Sequence, residues 1–318
     1  MNNQDIAQAA AILKRGGLVA FPTETVYGLG ATADNPAAVK RLYLAKGRPL
    51  DHPVIVHLAT AAQVPQWARE VPEAARKLAA AFWPGPLTLI LKRTPRAGDD
   101  ITGSQDTVGL RIPVHPVARA LLEAFGDGIA APSANRFGHV SATTAEHVRE
   151  EFGGNVDFVL DGGPCEVGIE STIIDVSSGR PILLRPGRIS AQDVERALGA
   201  PLVVGTNTPP RAPGMLAAHY APHTPIALVP AAALYDRAMD LLRRGQRVAV
   251  LAHSMPLPTL DEQLVWILLP GDAAGYAHDL YANLRRLDQA QCSVILIEQP
   301  PITSEWAAVR DRLARASG

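Results

Sequence analysis

Lys46-Gly47-Arg48 and, far along the chain, Ser133-Ala134-Asn135 supply two cations and two short polar side chains of the kind that hold the phosphates of a nucleotide. Lysine offers a compact point charge and arginine a planar fork that matches a phosphate edge. No G-x-x-x-x-G-K-S/T loop occurs anywhere in the 318 residues, so a triphosphate here must be gripped mainly by side chains rather than by a backbone cradle. Each segment alone also has an ordinary explanation. Cations near a helix C-terminus are favoured by about 0.3 to 1 kcal/mol in any case, and Pro132-Ser133-Ala134-Asn135 has the composition of a turn.

The elements that must position these groups show in the apolar periodicity. Ile6, Ala9, Ala10 and Leu13 recur at helical spacing until Gly16-Gly17, and Leu18-Val19-Ala20-Phe21 then reads as a short buried strand stopped by Pro22. Asn35-Pro36 is a cap and first-turn pair, so a helix carried by Val39, Leu42 and Tyr43 should stop near Gly47, with Lys46 and Arg48 at its C-terminus. Apolar runs at 54–58, 87–91, 108–112, 129–131, 156–160, 172–176 and 182–184 predict strands, and helical patterns at 73–82, 117–125 and 144–152 intervene. Residues 1–200 therefore predict an α/β domain with a large mixed twisted sheet and its motifs mostly at strand ends.

Pro201, Pro209, Pro210, Pro213, Pro222 and Pro225 exclude a regular helix or central strand, which marks 201–225 as an extended linker. Beyond it, strands at 226–229, 247–252, 265–269 and 293–298 alternate with helices at 231–244, 273–289 and 304–316. That alternation predicts a small Rossmann-like α/β domain over 226–318; it has no G-x-G-x-x-G fingerprint and is assigned no dinucleotide.

Composition sets outer bounds. The length exceeds one typical domain, and a formal net charge of −1 provides no global attraction to nucleic acid or to an anionic membrane, so any anion site is local. Cys165 and Cys292 form no C-x-x-C or Cys/His cluster, which argues against a disulfide framework or structural zinc. Met1-Asn2-Asn3-Gln4-Asp5 lacks the order of a signal peptide, and no apolar stretch approaches the roughly 18 residues needed to span a bilayer. A cytoplasmic protein with no membrane partner is the expectation.

Around the opening segments lie Phe21-Pro22-Thr23-Glu24-Thr25-Val26-Tyr27-Gly28-Leu29, Pro53-Val54-Ile55-Val56-His57, Gly109-Leu110-Arg111-Ile112-Pro113, Gly168-Ile169-Glu170-Ser171-Thr172 and Leu184-Arg185-Pro186-Gly187. In order and content this set resembles the YrdC-like threonylcarbamoyl-AMP synthases, from about Asp5 to Arg188. Ala212-Pro213-Gly214-Met215 with His219-Tyr220-Ala221-Pro222 is similar to the linker of the family's two-domain long form. The resemblance implies a nucleotidyltransferase that joins L-threonine, bicarbonate and ATP into L-threonylcarbamoyladenylate, releasing pyrophosphate. The product would pass to downstream transfer machinery acting on adenosine 37 of tRNA.

By the same resemblance Lys46 and Arg48 are the catalytic cations on the phosphates. Arg48, His52, Ser133, Asn135, Ser141, Arg185 and Tyr220 bind ATP, while Thr25, His57, Arg111 and Ser171 bind threonine. Arg111 suits the carboxylate of threonine through paired hydrogen bonds, and the hydroxyls and a neutral imidazole suit its amino and hydroxyl groups. The residues by themselves leave other roles open: strand-end hydroxyls for Thr25 and Ser171, a half-buried strand histidine for His57, a salt bridge for Arg111, a core tyrosine for Tyr27. Glu24 reads as a structural or solvent-facing acid rather than a base. No carboxylate cage for a metal is evident, so Mg²⁺ is expected to arrive on ATP. Two positions depart from the family pattern: Phe137 replaces a small hydroxyl residue and His52 replaces asparagine.

The linker is expected to fold back over the nucleotide as a lid, with His219 or Tyr220 near the phosphates and with little added charge, because Leu216-Ala217-Ala218 stands where some relatives have basic residues. Arg48→Ala and Arg111→Ala are expected to abolish catalysis without unfolding the protein. The alternatives are an RNA-binding module, which the 5% aromatic content and the lack of basic runs do little to support, and a carbamoyltransferase using carbamoyl phosphate.

Overall fold

The computed structural model describes residues 3–202, 210–214, 220–256 and 261–318. They fall into two compact units: Met1–Phe137 with Ala142–Met215, and Gly138–Ser141 with Leu216–Gly318. The change of unit at 215/216 lies inside the proline-rich stretch 201–225, and the short segment Gly138–Ser141 belongs with the second unit.

The first unit carries β1 (Val19–Phe21), β2 (Gly28–Thr32), β3 (Ile55–His57), β4 (Leu87–Lys92), β5 (Thr107–Arg111), β6 (Ile129–Ala130), β7 (Phe158–Val159), β8 (Thr172–Asp175) and β9 (Ile182–Arg185). They form one nine-stranded sheet in the order β7-β1-β2-β6-β3-β5-β4-β8-β9. The pairs β1–β7, β3–β5 and β4–β8 are parallel and the other five antiparallel, so the sheet is mixed. Its helices are α1 (Asn3–Lys14), α2 (Pro36–Lys46), α3 (Val64–Trp67), α4 (Glu73–Phe82), α5 (Asp99–Thr102), α6 (Pro116–Phe125), α7 (Ala145–Phe152) and α8 (Ala191–Leu198).

One face of the sheet buries Leu29, Val56, Leu89, Leu91 and Leu110 beneath α2, α4, α7 and α8. On the other face α1 and α6 pack on Val19, Phe21 and Ile129. Further along that second face, Ile55, Ile90, Ile173, Ile182 and Leu184 cluster with Ala212 of the linker. The candidate row lies on this second face, beyond α1 and α6: His57 and Thr88 stand two residues from Ile55 and Ile90, and the His57 ring meets the Phe21 ring edge-on.

Besides the one-turn helices α3 and α5, two segments differ from the sequence pattern. Gly28–Thr32 has the low strand propensity of glycine, yet it forms a fully buried strand. A Cβ on Gly30 would lie 2.8 Å from Ile129 Cγ2 and 2.9 Å from the Phe21 ring, so only glycine lets this strand pass between β1 and β6. The helix α8, absent from the expected elements, starts on a reciprocal cap in which Ser190 and Asp193 each bond the other's backbone N–H. At α2 the expectation holds: Asn35 accepts from Ala37 N and Ala38 N, and Gly47 ends the helix in the left-handed region at φ 63°.

The second unit has β10 (Ile226–Val229), β11 (Val248–Ala252), β12 (Leu264–Leu268) and β13 (Val294–Glu298), all parallel in the order β10-β13-β11-β12. Helices α9 (Ala231–Arg243), α10 (Ala273–Gln289) and α11 (Ala307–Ala316) accompany them. This is the small Rossmann-like domain that the alternation predicts.

Candidate active site

Five neighbouring strands align the candidates in one cross-strand row. His57 on β3 pairs with Arg111 on β5, and one step beyond the Leu89–Leu110 pair Arg111 comes opposite Thr88 of β4. Thr88 pairs with Ile173 on β8, which pairs with Arg185 on β9. Cross-strand partners project from the same face up to Ile173, next to which the β8–β9 register shifts; strands lie about 4.8 Å apart, so Arg111 and Arg185 stand roughly 14 Å from each other at the backbone. Ser171 precedes β8 at this edge of the sheet.

At one end of the row, Arg111 is 4% exposed and paired through both terminal nitrogens. Its Nη2 donates to Glu24 Oε1 at 2.6 Å and its Nη1 to Thr25 Oγ1 at 2.9 Å. Glu24 is 2% exposed, and its second oxygen accepts from Val114 N at 3.2 Å. Of the two readings of Glu24 the buried structural one is therefore correct. The salt bridge also changes the expectation for Arg111→Ala: it would strand a buried carboxylate, at a cost of about 3 to 5 kcal/mol, and so would weaken the fold as well as the site. His57 is 3% exposed, and among the described residues its Nδ1 has no hydrogen-bond partner. Burial, followed by the adjacent Arg111 charge, lowers its pKa to about 3, so the imidazole is neutral.

At the other end, Arg185 clamps Ser171: Nε donates to Ser171 O at 3.0 Å and Nη2 to Ser171 Oγ at 3.1 Å. Nη1 reaches Pro213 O of the linker at 3.0 Å. Ser171 Oγ also lies 2.8 Å from Thr88 Oγ1, a contact the sequence does not single out although Thr88 is the one polar residue in the run Leu87-Thr88-Leu89-Ile90-Leu91.

The phosphate candidates gather where α2 ends. Lys46, 2% exposed, donates from Nζ to Ser133 O at 2.6 Å and to Asn135 O. Burial, followed by repulsion from Arg48, lowers its pKa well below the ordinary lysine value. Ser133 bridges to Gly28 and Ala134 N donates to Tyr27 O at 2.7 Å, so the 133–135 loop is tied to β2. Arg48 donates to Pro53 O at 2.8 Å, and its guanidinium carbon lies 5.9 Å from the ring centroids of both Tyr43 and Phe137. The rings of His52 and Phe137 are 5.3 Å apart. The two positions that depart from the family pattern thus touch each other beside Arg48. The His52 pKa is lowered by burial and then by Arg48. Tyr27 is a core tyrosine: its hydroxyl donates to Gly163 O at 2.8 Å and accepts from Gly162 N at 3.2 Å.

Ser141 and Tyr220 lie in the second unit, both almost fully buried. There Ala221 N donates to Gly138 O at 2.9 Å, and Arg285 Nη2 donates to Val140 O at 2.5 Å, which sets Tyr220-Ala221 alongside Gly138–Ser141. Tyr220 takes a left-handed backbone at φ 64°, stacks on Tyr281 at 5.9 Å and sits 5.3 Å from the Arg312 guanidinium. His219, Pro209 and Met215-Leu216-Ala217-Ala218 lie outside the described residues.

A mixed-sheet domain bearing a buried row of arginine, histidine and hydroxyl groups, followed by a small parallel α/β domain, is the architecture of a two-domain YrdC-like protein. The family described as "Telomere recombination" matches residues 11–187, and that described as "Threonylcarbamoyl-AMP synthase, C-terminal domain" matches residues 189–318. The threonylcarbamoyl-AMP synthase of Pyrococcus abyssi is 41% identical over 98% of this chain and 93% of its own length. That of Bacillus subtilis is 41% identical over 100% of this chain and 94% of its own length. The crystal structure of P. abyssi Sua5 complexed with L-threonine superposes with a TM-score of 0.91 at 38% identity, covering 100% of this chain and 95% of that one. The chain belongs to the Sua5/YciO/YrdC family, in its two-domain Sua5 form.

Proposed function

We propose that this protein synthesises L-threonylcarbamoyladenylate from L-threonine, bicarbonate and ATP. The cross-strand row from His57 to Arg185 carries the reading, supported by full-length relatives that bear the name of that synthase and by a related structure that holds L-threonine. The amine of threonine captures bicarbonate as a carbamate with loss of water. A carbamate oxygen then attacks the α-phosphorus of ATP, and the bond to pyrophosphate breaks.

Positioning and charge neutralisation dominate such a reaction, because carbamate and polyphosphate repel one another. Arg111 faces the threonine carboxylate, with Thr25, neutral His57 and Ser171 around its amine and hydroxyl. Arg48 and Lys46 serve the phosphates; an ammonium has three N–H groups, and Lys46 keeps one beyond the two it gives to Ser133 and Asn135. Arg185, Ser133, Asn135 and His52 complete the nucleotide contacts. Mg²⁺ would arrive on the triphosphate, where it would offset the leaving-group charge. The adenylate would be consumed by a transferase acting on tRNA in the cytoplasm. No helix among the described residues is long and apolar enough to cross a membrane.

Mass spectrometry of the product formed from threonine, bicarbonate and Mg·ATP tests the proposal. Threonine- and bicarbonate-dependent pyrophosphate release supports it. Activity only with carbamoyl phosphate, or tight RNA binding without ATP turnover, would replace it with a carbamoyltransferase or an RNA-binding module.

A further inference from the structure

Thr25 is held in a directional hydrogen-bond chain that determines which proton it can share. Thr23 Oγ1 donates to Val26 O at 2.6 Å, a carbonyl that can only accept, and this uses the single hydroxyl proton of Thr23. Thr23 Oγ1 also accepts from Thr25 N at 3.2 Å and Val26 N at 3.3 Å; with its own proton committed, the shorter 2.9 Å contact with Thr25 Oγ1 takes its proton from Thr25. Arg111 Nη1, which can only donate, occupies one lone pair of Thr25 Oγ1 at 2.9 Å. The Thr25 hydroxyl is left with one lone pair and no free proton.

The chain begins at Glu24. Both of its oxygens accept N–H donors, from Arg111 Nη2 and Val114 N, and Arg111 and Glu24 are almost fully buried, so the guanidinium has little freedom to turn away from Thr25. Among the described residues Arg111 Nε has no hydrogen-bond partner, so the guanidinium keeps a donor beyond those given to Glu24 and Thr25.

We propose that Glu24 is a positioning residue that, by pinning Arg111 against Thr25, sets the Thr25 hydroxyl as a pure acceptor for an N–H or O–H of the amino-acid substrate. This rests on the reading of Arg111 and Thr25 as threonine ligands. A hydroxyl in this state would bind the substrate amine or its side-chain hydroxyl and reject a group that offers only lone pairs.

Glu24→Gln is the sharp test. Glutamine has one acceptor oxygen for two N–H donors, so its amide NH₂ must oppose either Arg111 or Val114. The KM for threonine should rise about 10- to 100-fold, the range for a hydrogen bond to a charged group, while the KM for ATP stays within about twofold. In a Thr25→Val background the same substitution should cost far less, because the end of the chain is already gone. An unchanged threonine KM, an equal rise in both KM values, or full additivity with Thr25→Val would overturn the proposal. Should Glu24→Gln not fold, Glu24→Asp keeps the charge but withdraws the carboxylate by one methylene. A raised threonine KM with unchanged ATP KM then supports the role, and wild-type values remove it. Wild-type protein that releases no pyrophosphate with threonine would instead sink the underlying reading, an outcome distinct from any of these.

Discussion

His57 and Arg111 stand directly opposite one another in the parallel pair β3–β5, a neutral imidazole beside a buried cation. Burial first, and Arg111 second, bring the histidine pKa from 6.5 to about 3. The unfolded chain therefore binds the proton more readily than the folded one, so the stability contributed by neutral His57 is complete above pH 6.5 and is lost as pH falls toward 3. In His57→Gln this part of the acid loss should vanish. Urea unfolding at pH 7 and pH 4.5 should show a smaller stability difference for the variant than for wild type; an equal difference would contradict the assignment. The pH–rate profile of the wild type should show no inflection from His57 between pH 5 and 8, since the group does not titrate there.

Lys46 holds the 133–135 loop through two carbonyls, and this predicts a selective defect. Lys46→Met removes both bonds and a phosphate donor but also a buried charge, so the stability change should be small while the KM for ATP rises by about tenfold or more. The threonine KM should stay near wild type. If ATP and threonine kinetics suffer equally, the loop is not the element through which Lys46 acts.

Arg48 is flanked by two aromatic faces, and Phe137 supplies one of them. Phe137→Leu keeps the apolar bulk and deletes the ring quadrupole, a loss of about 0.5 to 2 kcal/mol for a partly desolvated cation–π contact, or roughly 2- to 30-fold in ATP affinity. Because His52 packs on the same ring, His52→Asn and Phe137→Ser should be less than additive when combined. Isothermal titration with a non-hydrolysable ATP analogue across the four proteins measures the coupling, and strict additivity would mean the two departures are unrelated.

The sequence carried the site further than it carried the contacts. Lys46 and Arg48 were placed at a helix end by Asn35, Pro36 and Gly47, since caps act locally and leave a local signature. The nine-stranded order is not legible in that way, because Phe21, Ile129 and Gly30 meet only through long-range pairing and the glycines of Gly28–Thr32 lower its strand propensity. Glu24 is the same case at the level of a side chain: its cation lies 87 positions away on β5, so nothing near it in the chain announces the pair. Thr88 shows a weaker form, a single hydroxyl in an apolar strand whose partner Ser171 sits just before β8.

Gln105 anchors the start of the linker to the first unit, and this yields a test of what keeps residues 210–214 on the sheet. Its Oε1 accepts from Arg211 N at 2.6 Å and its Nε2 donates to Arg211 O at 3.1 Å, so one side-chain amide satisfies both backbone groups of that residue. Arg211 adds bonds to Gly103 O at 2.6 Å and Asp51 at 3.2 Å, and next to it Ala212 packs on the isoleucine cluster beside the cross-strand row. Two net hydrogen bonds are worth about 2 kcal/mol, roughly 30-fold in the population of the detached segment. In Gln105→Ala, limited trypsin cleavage after Arg211 should accelerate by about that factor while the unfolding midpoint of the first unit moves little, because the detached form is a local opening rather than global unfolding. Release of Pro213 from Arg185 would follow, so the variant should also lose turnover with ATP and threonine. Cleavage at the wild-type rate would show that the apolar contact of Ala212, and not the amide of Gln105, fixes the linker.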